Sequence, residues 1–195
     1  MRPVSILILS LIYALMPLQA AAEPAMGSPT APVTLVEYGS LTCGHCIRFH
    51  RDVIPHLKRQ YIDTGHVRFI FRDYPTSAEA TRGAVAARGV SSEAYYSTLH
   101  TLFLSVGQWS RASDVDAALE REVAELGLST AEFRECWKYP ASEAAVVQSR
   151  RQGAREFGVH GTPTFLINGQ IVRGARSLEQ METLIDNAVT PVQQK

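Results

Sequence analysis

Cysteine is scarce in this chain, with three among 195 residues. Three cannot fill an all-cysteine zinc site, which takes four, nor staple a small disulfide scaffold, but they suffice for one reactive pair and a singleton. Excess charge of either sign is also missing, since 19 basic residues balance 19 acidic ones. Polyanion binding is therefore not implied, and nucleic acid is not an expected partner. Apolar runs approaching the roughly 20 residues of a bilayer span are absent, and so are internal repeats and low-complexity tracts. What is present is 46% hydrophobic and 19% charged sequence, enough for a real core in one domain or in a domain carrying a modest insertion.

The N-terminus reads as an export signal. Arg2 precedes an apolar run over 6–15, and Ala20, Ala21 and Ala22 supply the small residues that signal peptidase accepts, so 1–22 is expected to be a cleaved signal peptide. The mature product is expected to be soluble, close to neutral and exported to the periplasm, where a disulfide can persist.

Beyond the proline-rich lead at Pro24, Pro29 and Pro32, the apolar, β-branched run 33–38 predicts a buried strand. Cys46, Phe49, Val53, Leu57 and Tyr61 then recur at three and four residues, predicting one face of a helix that ends near Thr64 and Gly65. Pro55 inside it predicts a kink, because the apolar stripe continues past it. A second strand, carrying Val67, Phe69 and Phe71, runs toward Pro75. From 77 to 158 the pattern is helical. Tyr96, Leu99, Leu102 and Phe103 form one stripe, Val115, Leu119, Val123 and Leu126 another, and a last long helix runs from Pro140 to Gly158. Strand character returns at 164–167 and 170–173 around Asn168-Gly169, a hairpin signal, and Ser177 with Gln180 caps a final helix whose buried face is Met181, Leu184, Ile185 and Val189. The order βαβ, helical block, ββα predicts an α/β fold: a small mixed sheet flanked by helices, built from 23–76 and 159–195, with an all-helical insertion at 77–158.

The chemistry centres on Cys43-Gly44-His45-Cys46, at the junction between the first strand and the helix after it. Residues three apart on a helix share a face, so the two sulfurs can bond. Unpaired N–H groups and the positive end of the helix dipole favour a thiolate at Cys43, and His45 can add a hydrogen bond or a positive charge. A stabilised thiolate belongs to the reduced state and so makes the disulfide more oxidising. Cys46, deeper in the helix, is expected to keep a higher pKa and to act as the resolving thiol. Haem attachment would need His directly after the second cysteine, where Ile47 stands. A zinc or copper site recruiting Cys43, Cys46 and His50 lacks an obvious fourth ligand. An inert structural disulfide would close too small a ring to constrain much of the unfolded chain.

Glu37 six residues before Cys43, the Cys-Gly-His-Cys motif, the proline-bearing helix, the helical insertion and Gly161-Thr162-Pro163-Thr164 together resemble the DsbA family of thioredoxin-fold oxidoreductases, over nearly the whole mature chain. The resemblance implies a cis peptide before Pro163, close to the cysteines, with Thr162 offering backbone groups to a substrate strand. It implies that Glu37 is a buried carboxylate that takes or relays a proton from Cys46. Many members carry proline where Gly44 stands; Gly-His is the dipeptide typical of protein disulfide isomerases. The lead before the first strand is too short for a dimerisation domain like that of the bacterial disulfide isomerases, which favours a monomer.

The expected activity is therefore thiol:disulfide exchange through Cys43 and Cys46, donating disulfides to folding exported proteins. No bound cofactor or metal is required, and reoxidation would fall to a DsbB-like, quinone-linked membrane partner. A reductase or isomerase is the runner-up, and a periplasmic copper or zinc chaperone using the same thiols is the rival from another class. Cys136 is expected to be a buried, unreactive thiol. His50, His56, His66, His100 and His160, without a convergent ligand pattern, are expected at the surface.

Overall fold

The computed structural model describes residues 23–138 and 140–189, without the side chains of 132, 136–138 and 140. The expected signal peptide and the Cys136 thiol lie outside these described residues. Four strands, β1 (Val33–Gly39), β2 (Val67–Asp73), β3 (Thr164–Ile167) and β4 (Gln170–Arg173), form one mixed sheet in the order β2-β1-β3-β4. β1 and β2 are parallel and in register from Val33 with Val67 to Gly39 with Asp73, whereas β3 runs antiparallel to β1 and to β4. The hairpin turns at Asn168 and Gly169, whose φ values of 48° and 83° suit the two-residue turn that this dipeptide favours. Asn168 also accepts the Thr34 N–H on its side-chain oxygen at 2.8 Å, pinning the hairpin to the start of β1.

Alternation along β1 sends Val33, Leu35 and Glu37 to one face of the sheet and Val36 and Tyr38 to the other. Both faces are covered. The larger core packs the first face against the helical run 44–62, the final helix Leu178–Val189 and the helices Ala78–Arg88 and Tyr95–Leu104. The smaller core joins Val36, Tyr38, Ile70, Tyr74 and Leu166, partly covered by Ala154 and Phe157 of the helix Pro140–Phe157. Each fully buried Leu, Ile or Phe contributes roughly 1.5–3 kcal/mol.

The helical run 44–62 is continuous, as the stripe predicts, and it accommodates Pro55 by widening. A π-helical turn, Phe49–Val53, precedes the proline, and the Ile54 N–H donates to the carbonyl of Phe49 five residues back. Widening moves the backbone away from a ring that would otherwise strike the preceding turn, and proline's missing donor is left without a partner to satisfy.

The capping box at Ser177 is present in full. The Gln180 N–H reaches the Ser177 hydroxyl at 3.2 Å, and the Ser177 N–H reaches the Gln180 side chain at 3.0 Å. Two stripes are narrower than their spacing suggests, since Leu126 is exposed just beyond the last turn of its helix and Val189 is exposed at the end of the final one. Among the described residues no helix is long and apolar enough to cross a membrane.

Gly153 lies where the long helix crosses the sheet. A Cβ built there would come within 2.6 Å of the buried Tyr38 ring. Alanine has the higher helix propensity by about 1 kcal/mol, but separating a packed helix from a fixed ring costs about 1–3 kcal/mol. Gly153→Ala is therefore expected to destabilise the protein by about 1–2 kcal/mol in urea unfolding, where exposed-helix propensity alone would make it more stable.

Candidate active site

β1 ends at Gly39, and the turn through Ser40–Thr42 delivers Cys43 to the N-cap of the helix that starts at Gly44. Cys43 keeps extended backbone angles, and its carbonyl accepts the first helical hydrogen bond from Ile47 at 2.9 Å. Its sulfur thus stands at the open end of the helix, partly exposed, while Cys46 three residues on faces inward and is fully buried. Both are free thiols.

The two sulfurs are driven in opposite directions. Cys43 is lowered from an ordinary 9 to about 5, first by the hydrogen bond its sulfur receives from the Cys46 thiol, then by Thr162 and the backbone N–H groups of Cys46 and His45, against the opposing effect of partial burial. Cys46 is pushed far upward by donating that same bond, by burial and by the charge of Glu37. One thiol is thereby kept as a thiolate and its neighbour as a neutral donor. With a proton on Cys43, its thiol instead points at the Thr162 carbonyl oxygen, 3.3 Å away. The Thr162–Pro163 peptide is cis. Pro163 is buried, and the Thr162 contact lays the loop before β3 against the Cys43 sulfur.

His45 is exposed, and its ring turns toward Arg48, whose guanidinium donates to Nδ1 at 2.8 Å. Its contribution to the sulfur is its backbone N–H. Glu37, carried on the core face of β1, is fully buried and lies close enough to raise the Cys46 thiol. One of its oxygens, Oε2, is bound by His50 Nε2 at 2.8 Å, while Oε1 has no hydrogen-bond partner among the described residues.

His50 corrects the expectation of a surface histidine, for it is only 2% exposed. Its ring lies stacked on Phe103 with centroids 3.9 Å apart. Four residues after Cys46, it follows the same buried face, a spacing that makes the placement legible once Glu37 is known to lie beneath. His56 and His100 are half-buried, whereas His66 and His160 are exposed. No group of three or more His, Cys, Asp or Glu side chains among the described residues converges as a metal site.

The arrangement suits thiol:disulfide exchange: an accessible sulfur that leaves and attacks as a thiolate, a protected sulfur that resolves, and a carboxylate near the second. Ultraviolet titration of the reduced protein is expected to show one thiol ionising near 5, moving up toward the ordinary range in Cys46→Ala as the donor is lost. A depressed folded-state pKa stabilises the fold above the unfolded value, and that stability is lost as pH falls through the folded value. Reduced protein is therefore expected to lose stability relative to oxidised protein as pH is lowered from 9 to 5, and urea unfolding of both forms across that range measures it.

A family model described as thioredoxin matches residues 19–187. The chain aligns at 27% identity over 175 residues with a Rickettsia conorii protein that bears the name protein-disulfide oxidoreductase, covering 89% of this chain and 62% of that protein. It thus spans less than two thirds of that relative's length. Among solved structures, the alpha-DsbA1 of Wolbachia pipientis superposes with a TM-score of 0.80 at 28% identity, covering 90% of this chain and 94% of that one. The DsbA of Chlamydia trachomatis shares the fold, with a TM-score of 0.73 at 18% identity.

Proposed function

Because this chain belongs to the thioredoxin family, we propose that it is a DsbA-like thiol:disulfide oxidoreductase working through Cys43 and Cys46 in the oxidising direction. The single observation that carries the reading is the placement of two sulfurs three residues apart, Cys43 partly exposed at the N-cap of the helix and Cys46 buried behind it, an arrangement that lowers Cys43 to about 5. A substrate thiolate attacks the Cys43 sulfur of the disulfide form, the bond to Cys46 breaks, and Cys46 leaves with the electron pair and takes up a proton. A second substrate thiolate then attacks the mixed disulfide, closing the substrate disulfide and releasing Cys43 as a thiolate. The substrate loses two electrons, the enzyme gains them, and one proton remains on Cys46.

Thiolate stabilisation sets the direction. A thiol ionising near 5 is about a hundredfold more thiolate than thiol at pH 7. At about 30 mV per tenfold for a two-electron couple, this raises the potential by at most about 60 mV, and by less once solvent around the half-exposed sulfur is counted.

Glu37 is the carboxylate that takes or relays the Cys46 proton in this reading, Thr162 and Pro163 border the substrate position, and His45 contributes its backbone N–H. Substrates are folding exported proteins, reoxidation falls to a DsbB-like membrane partner, and the protein works as a periplasmic monomer without a bound cofactor. Support for this setting comes from the N-terminal export pattern and from the similarity to DsbA structures. A reductase or isomerase kept reduced by another partner would use the same cysteines in the opposite direction. A metal chaperone would instead hold stoichiometric copper or zinc that Cys43→Ser loses, without disulfide exchange.

Equilibrating the purified protein with a glutathione buffer tests the direction. A potential more positive than about −200 mV is expected, and Cys43→Ser is expected to abolish oxidation of a reduced dithiol peptide. A potential near that of thioredoxin, about −270 mV, would overturn the oxidase assignment.

A further inference from the structure

The Glu37–His50 pair is sealed, with side-chain exposures of 0% for the carboxylate and 3% for the imidazole. Glu37 Oε1 has no hydrogen-bond partner among the described residues, and the charge of Glu37 acts on the Cys46 thiol. His50 also borders a mostly apolar pocket of about 260 Å³ between the helical run 44–62 and the helix Tyr95–Leu104, which Ile54, Lys58, Tyr96 and His100 help to line. The pocket therefore reaches the pair through the imidazole and not through the cysteine surface, where a bound substrate would cover any entry.

We propose that His50 is a positioning residue through which Glu37 exchanges its proton with solvent, so that Cys46, Glu37 and His50 form one proton path opening on this pocket. The inference rests on the oxidoreductase reading and extends it to a residue outside the cysteine pair. The geometry fits the role. The imidazole is held flat on Phe103 and edge-on to Phe71, with centroids 5.6 Å apart, so its bond to Glu37 is fixed in direction. The titratable and charged groups around it among the described residues are Glu37 from β1, His100 and Tyr96 from the helix Tyr95–Leu104, and Cys46 and Lys58 from its own helical run. β2 contributes only the apolar faces of Phe69 and Phe71. Lys58 is already committed to Asp63 at 2.6 Å. The His100 imidazole at the pocket's edge is lowered, first by burial and then by His50.

Reoxidation by glutathione disulfide isolates the step. The Cys43 thiolate attacks one glutathione sulfur and releases the first glutathione thiolate. The Cys46 thiol then loses its proton to Glu37 as its sulfur attacks Cys43, forming the protein disulfide and expelling the second thiolate. The protein gives up two electrons, glutathione disulfide takes them, and the proton leaves through His50.

Rapid mixing resolves the two steps across pH 5–9. His50→Gln, which can still donate to Glu37 but cannot carry a proton, is expected to leave the first step unchanged within about twofold. It is expected to slow the second at least tenfold, as general acid–base loss does, and to change its pH profile. In His50→Ala the vacated space joins the pocket, and added imidazole is expected to restore the second step, whereas pyrrole, of similar shape but not basic at these pH values, does not. If His50→Ala does not fold, as its thermal melt will reveal, the Gln variant alone decides. A second step in His50→Gln with the wild-type rate and pH profile would overturn the inference while leaving the oxidoreductase reading intact. A wild-type protein that undergoes neither step overturns both.

Discussion

The hydrogen bond between two sulfurs of one helical turn governs this site. Cys46 keeps its proton and gives the bond, and Cys43 loses its proton and receives it. Neither position would behave so alone. A thiol at a helix N-terminus meets free N–H groups and a positive dipole end, but it gains a side-chain donor only because the second cysteine lies three residues along the same face. Burial then separates the two: solvent reaches the first sulfur, and the second, surrounded by the sheet and the helical run, cannot easily become charged.

The remainder of the molecule maintains that asymmetry. β1 carries Glu37 on its core face and ends just before the turn that places Cys43, so the strand sets both the charge under the pair and the height of the exposed sulfur. The loop at Thr162–Pro163 reaches the same sulfur from the neighbouring strand β3. Because β1 is central in the sheet, with β2 on one side and β3 on the other, the site rests on an element whose backbone is paired on both edges. The helices between β2 and β3 supply Phe103, on which the His50 ring lies, and so link the inserted segment to the chemistry through packing rather than through a catalytic group.

Much of this was legible in the order of residues, and the exceptions are instructive. Period-two alternation places Glu37 on the face of Leu35, and spacing by three and four places Cys46 inward, because both rules describe a chain's own geometry. The hairpin at Asn168-Gly169 and the capping box at Ser177 are equally local, and both formed as their residues require. His50 was only half legible, since its spacing of four from Cys46 puts it on the buried face, but an isolated histidine carries no sign of whether a carboxylate and an aromatic ring wait for it. Those partners lie 13 residues before it and on a helix of the insertion. The π-helical turn at Phe49–Val53 similarly follows from Pro55, but that local form depends on how the surrounding core holds the run.

By itself, then, the sequence determined the sheet, the helices and the reactive pair with its polarity, because propensity, periodicity, caps and the helix dipole act over a few residues. Tertiary structure alone decided where the His45 ring turns, that His50 is sealed against Glu37, and that a pocket reaches the pair from the side away from the sulfurs. Those outcomes depend on contacts between segments far apart in the chain, whose strength is set by packing and by exclusion of water, and neither quantity is written in any one stretch of residues.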